Sequence, residues 1–90
     1  MAISSLTTSK ASPQNVGTSI IIKVLSSGGT GILQSNFSIF DGVSLTTIKD
    51  YSTQGYVIWT PTKAGTYVVY AKVKDEVGNI ATKSLIYQVN

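Results

Sequence analysis

The stretch GTYVVYAKVKDEVGN, residues 65–79, carries the pattern on which the fold turns. Tyr67, Val69, Ala71 and Val73 occupy every second position, while Lys72 and Lys74 fall on the opposite parity. In extended chain a period of two sends one set to one face and its neighbours to the other. The pattern predicts a strand with one buried face, ending in a tight turn. The polar knot Asp75-Glu76-Val77-Gly78-Asn79 has two readings. As a site, Asp75, Glu76 and Asn79 offer oxygens to calcium, which takes six to eight such ligands; Asp41 or Asp50 would have to approach in space. As a corner, Asp75 accepts backbone N–H bonds, Gly78 supplies a positive φ and Asn79 tolerates the left-handed region. The corner gives every polar residue a local role, and it is the expected form.

The same period recurs along the chain. TSIIIKVL (18–25) puts Ile20, Ile22 and Val24 on one face, and SNFSIF (35–40) aligns Phe37 with Ile39. GYVIWTP (55–61) pairs Val57 with Trp59 before Pro61 removes a ladder donor. NIATKSLIYQVN (79–90) aligns Leu85, Tyr87 and Val89. Breaks fall at SPQNVG (12–17), SSGGTG (26–31), DGVS (41–44), DYSTQG (50–55), PTKAG (61–65) and DEVGN (75–79). No window shows helical i, i+3, i+4, i+7 spacing. Short strands at such intervals predict an all-β fold: an immunoglobulin/fibronectin III-like antiparallel β-sandwich of about seven strands. Residues 1–90 are expected to form one such domain, excised from a larger multidomain protein.

Composition excludes most chemistry. The chain has no histidine and no cysteine, so the usual general bases, nucleophile activators and zinc ligands are missing. Its four acids offer little for a carboxylate-pair mechanism in so small a domain. No enzymatic activity and no cofactor are expected. The net charge of +3 comes from seven lysines and no arginine, without a cluster. That disfavours nucleic acid, whose bases and phosphates are read mainly by arginine. No apolar run is long enough to cross a membrane as a helix, and MAISSLTTSK (1–10) lacks the features of a signal peptide. The chain is then either cytoplasmic or a module of a longer exported protein, in which case Met1 marks only the cut.

Aromatic residues are the remaining candidates. Trp59 alternates with Val57 and is expected to be the main core aromatic. Tyr67, two residues after Gly65, suits the hydroxyl that closes the corner before the penultimate strand of such sandwiches. Tyr51, Tyr56 and Tyr70 are harder to bury by parity; as an exposed row they would stack on sugar rings or bind a protein, and singly they are ordinary strand residues. A Lys–Asn crosslink of Lys23 with Asn36 or Asn90 is disfavoured, because Asp75 and Glu76 sit in a turn where a buried catalytic acid is not expected.

These words in order resemble a known family. SPQNVGTSIIIKVLSSGG (12–29), IKDYSTQGYVIWTPTKAGTYVVYAKVKD (48–75) and IYQVN (86–90) are similar to the triple-tyrosine, or three-Y, immunoglobulin-like domain. The resemblance implies Tyr51, Tyr67 and Tyr87 as the family's tyrosines. Segment 30–47 departs from the pattern, lacking an aromatic ahead of Phe37. Such domains occur beside β-propellers in bacterial sensor kinases, and in tandem in clostridial exported proteins, some with cell-wall amidase domains. The arginine-free, Lys- and Ser-rich composition suits the second setting. The resemblance therefore implies an extracellular or cell-wall location and a non-catalytic spacer or docking unit. Its partners would be neighbouring domains of the same polypeptide, cell-wall polysaccharide or another surface protein. A carbohydrate- or peptidoglycan-binding module and a periplasmic sensor junction of a two-component regulator are the alternatives.

Overall fold

Strand-forming residues with period-two burial assemble into two facing sheets. The computed structural model describes residues 2–10 and 12–90, so the reading of Met1 lies outside the described residues. These residues form seven strands and no helix: β1 (Ala2–Thr8), β2 (Ile20–Ser27), β3 (Gln34–Phe40), β4 (Leu45–Ser52), β5 (Tyr56–Trp59), β6 (Gly65–Lys74) and β7 (Ile80–Val89). One sheet has the order β1-β2-β5 and the other β4-β3-β6-β7, each neighbouring pair antiparallel. The chain is an all-β sandwich. The fourth strand pairs with the third; in constant-type immunoglobulin domains it joins the sheet of the first, second and fifth.

The core follows the parity of the sequence. Ile20, Ile22 and Val24 from β2 meet Phe37 and Ile39 from β3, Val69, Ala71 and Val73 from β6, and Tyr87 and Val89 from β7. Trp59 closes the same cluster from β5. Their neighbours Ile21, Lys23, Lys72, Ile86 and Gln88 face outward. The expected break at 50–55 starts later: β4 runs through Ser52, and the β3–β4 ladder shifts register on both sides of Phe37. These irregularities put extra β4 residues into the ladder and carry Tyr51 inside a strand instead of a turn.

The two flanks of the sandwich differ. On one, the chain leaving β1 crosses to the other sheet and runs beside β7, with Gln14 bridged in parallel to Val89. Gln14 N donates to Gln88 O at 3.2 Å, Asn90 N to Gln14 O at 2.8 Å, and Gln88 N to Ser12 Oγ at 2.8 Å. On the other flank β4 and β5 are sheet edges and leave an opening into the core. Ala2 lies opposite Ser27, at the end of β2, whereas Val89 lies opposite Gly65, at the start of β6. The ends of β2 and β6 meet where Glu76 N donates to Thr30 O at 3.0 Å. Ala2 and Val89 therefore mark opposite poles of a body measuring 40 × 24 × 16 Å.

The parity reading makes a sharp comparison of two adjacent isoleucines. Ile22→Ala removes a fully buried side chain and should cost about 2–5 kcal/mol. Ile21→Ala, on the outward face, should cost about 1 kcal/mol or less, the range of strand propensity. Urea denaturation of the two variants measures both. Equal losses would mean that the β2 register is wrong.

Candidate functional site

The polar knot after β6 is a corner organised by one carboxylate. Asp75 is buried, at 4% exposure. Its Oδ1 accepts the N–H groups of Val77 at 3.1 Å and Asn79 at 2.9 Å; its Oδ2 accepts Asn79 Nδ2 at 3.1 Å and Thr30 N at 3.3 Å. Gly78 adopts φ 91°, in the region that glycine enters without strain. The last bond to Asp75 reaches into the β2–β3 loop, so the corner also joins the two sheets. Burial works to raise the Asp75 carboxyl, but the donors from Asn79, Thr30 and Val77 outweigh it and hold it below its ordinary value of 3.8. Of the calcium candidates Asp75 and Asn79, the second presents its amide N–H₂ to the first. A cation would meet four donor hydrogens around the carboxylate instead of free lone pairs.

The aromatic candidates separate into a trio packed in or against the core and rings on the outer faces of the sheets. Trp59 stands edge-on to Tyr67, with centroids 5.1 Å apart, and to Tyr87, at 5.7 Å. Tyr67 Oη donates to Lys63 O at 2.6 Å, across a corner where Gly65 has φ 152°. Tyr87 Oη donates to Lys10 O at 2.8 Å, and burial raises its phenol so that it stays a donor. Sequence reasoning had no signal for that last bond, which spans 77 residues.

Tyr51, Tyr56 and Tyr70 form no common row. Tyr56 is on β5, on the parity opposite Trp59, and so on the outer face of the three-stranded sheet. Tyr70 is half-buried on the outer face of the other sheet, between Ser38 and Ser84 in register. Lys74, of the same outward parity, holds its Nζ 4.1 Å from the centroid of the Tyr51 ring, which places Tyr51 on that face too. Two of the tyrosines thus look away from the third, because their strands belong to different sheets. Lys23 and Asn36 are parted in the same way. Asn36 instead donates to Asp50 Oδ1 at 3.3 Å and accepts from Ser38 Oγ at 3.2 Å. Asn90 continues β7 in the other sheet, bonded to Gln14.

Sequence reading passed over a cleft of about 290 Å³ on the open flank between β4 and the β5–β6 loop. Its floor is Ile39, Ile48, Trp59 and Tyr67, and its rim carries Asp41, Thr46, Thr62 and Lys63. Asp41 Oδ1 accepts Val43 N and Ser44 N, both at 2.9 Å. These bonds, with a smaller contribution from Lys63, hold the carboxyl below its ordinary value of 3.8 and keep it ionised. Among the described residues no group of three or more His, Cys, Asp or Glu could hold a metal ion.

No family model matches the chain, and no curated protein matches it in sequence. Among solved structures it is similar to a family 76 glycoside hydrolase from a bovine Bacteroides thetaiotaomicron strain, with a TM-score of 0.64 and 15% identity. The match covers 96% of this chain and 20% of that one, so this chain spans about a fifth of that protein's length. At such identity the likeness is one of fold.

The two depressed carboxyls have a pH consequence. A carboxyl whose folded pKa lies below its unfolded value adds stability above the unfolded value, and that stability is lost as pH falls through the folded one. Unfolding temperature should therefore decline below about pH 3.8. Asp75→Asn should lower it at neutral pH and flatten the acid decline, as read by thermal melts across pH. An unchanged acid slope would remove Asp75 from the account.

Proposed function

We propose that the domain is a non-catalytic spacer or docking module of an exported bacterial cell-surface or cell-wall protein. The observation that carries this reading is mechanical. Ala2 and Asn90 lie at opposite poles of an elongated body, and the terminal segments are bonded along their length. Tension between the poles draws β1 along β2 and residues 12–16 along β7. Hydrogen bonds in such a seam are sheared together, whereas a hairpin pulled at its open end gives them up singly.

Other features agree. The chain has no His or Cys, and both oxygens of the Asp75 carboxylate and Oδ1 of Asp41 are engaged in holding turns. The solved neighbour carries this fold as a fifth of a longer chain, the setting in which a spacer serves. Separation of Tyr56 from Tyr51 and Tyr70 weighs against a glycan platform built from those three rings.

Forced unfolding of the domain, held at its two ends, tests the proposal. Gln14→Pro combined with Ser12→Ala deletes the donor to Gln88 O and the acceptor of Gln88 N. It should lower the unfolding force well below that of Gly78→Ala, a turn variant costing about 1–2 kcal/mol outside the seam. Equal forces in the two variants, or extension of the parent domain without a force peak, would refute it.

A further inference from the structure

We propose that the open-flank cleft is a binding site for a neutral pyranose unit of a glycan. The volume of about 290 Å³ is at the lower end of small-ligand sites and suits one ring with a few waters. Its floor of Ile39, Ile48, Trp59 and Tyr67 is hydrocarbon and aromatic, matching the C–H face of a sugar. Around the floor stand one ammonium, Lys63, one carboxylate, Asp41, and the hydroxyls of Thr46 and Thr62. Donors and acceptors are both present and the charges cancel.

That balance discriminates among ligand classes. A phosphate would need an excess of positive charge, a metal ion a set of converging oxygens, and an acyl chain an enclosed apolar cavity. A ring with an apolar face and a circumference of hydroxyls uses both halves of the cleft. The Asp41 carboxylate is held in place by Val43 N and Ser44 N through Oδ1. The Tyr67 hydroxyl fixes the Lys63 backbone through its carbonyl. The Asp41 carboxylate and the backbone at Lys63 are thereby placed before any ligand arrives, which lowers the ordering cost of binding. This site is distinct from the surface tyrosines, and its fate is independent of the spacer reading.

Trp59 is the chain's one tryptophan, so its fluorescence reports the cleft. Methyl β-glucoside and methyl β-N-acetylglucosaminide are titrated into the domain, with cyclohexanol and inorganic phosphate as controls, and amide shifts are followed in parallel. At least one sugar should saturate with Kd in the millimolar range, as about a dozen ligand atoms allow. The shifts should centre on Ile39, Thr46, Trp59 and Lys63. Lys63→Met should weaken binding about tenfold or more, as loss of a charged donor does. Thr46→Phe, at an exposed position, should abolish it by filling the cleft while the melting transition stays cooperative. No response to either sugar up to its solubility limit would overturn the proposal. So would an equal response to cyclohexanol or phosphate, shifts centred on Tyr51, Tyr56 or Tyr70, or undiminished binding by Thr46→Phe.

Discussion

Trp59 between Tyr67 and Tyr87 is the contact on which the sandwich depends. Trp59 ends a strand of one sheet; the two tyrosines stand directly opposite each other on neighbouring strands of the second. Edge-to-face pairs of this kind add about 0.5–1.5 kcal/mol each beyond the area they bury. Both tyrosine hydroxyls also bind backbone carbonyls in connections that pass from one sheet to the other: Lys63, between β5 and β6, and Lys10, between β1 and the segment beside β7. The rings that fill the core at this pole therefore fasten two inter-sheet crossings. At the opposite pole Asp75 does a similar service, since its carboxylate joins the β6–β7 turn to Thr30. A domain of this size, with a modest core and no disulfide, gains from such double use.

Scarcity of charge shapes the functional surface. Two of the four acids, Asp41 and Asp75, hold turns, and a third, Asp50, accepts from Asn36 and from Tyr51 N. What is left outside is mainly hydroxyl, amide and lysine, interrupted by apolar side chains on both sheets: Ile21, Leu25 and Ile58 on the smaller, and a row on the larger. Leu45, Phe40, Val68 and Ile86 stand side by side in register across all four strands of the larger sheet. Thr47, Ser38, Tyr70 and Ser84 form the next row. On this outer face an apolar row thus lies beside a row rich in hydroxyls. With so few charged side chains, little long-range field surrounds the domain.

Much of the fold was legible because a strand's faces are encoded at a period of two. Ile20, Ile22 and Val24, Phe37 and Ile39, and Val69, Ala71 and Val73 all lie where alternation puts them. The corner at 75–79 was legible for another reason: its acceptor, its glycine and its asparagine sit within five residues and act on one another. The Tyr67 bond to Lys63 is local in the same sense, spanning four residues. Tyr51 was harder, because register shifts in the β3–β4 ladder extend a strand through turn-forming residues.

By itself the sequence determined the strands, their buried faces, the turn chemistry and the lack of histidine and cysteine. Each of these depends on residues close together in the chain or on composition. Only the tertiary structure decided which strands share a sheet, and with that the separation of Tyr56 from Tyr51 and Tyr70. It alone brought Asp41, Thr46 and Lys63 to the rim of one cleft above Trp59. The physical reason is that alternation specifies the face of a strand but not its hydrogen-bonded neighbour. Pairing β4 with β3, away from β5, opened that flank, and the choice rests on contacts between segments far apart in sequence.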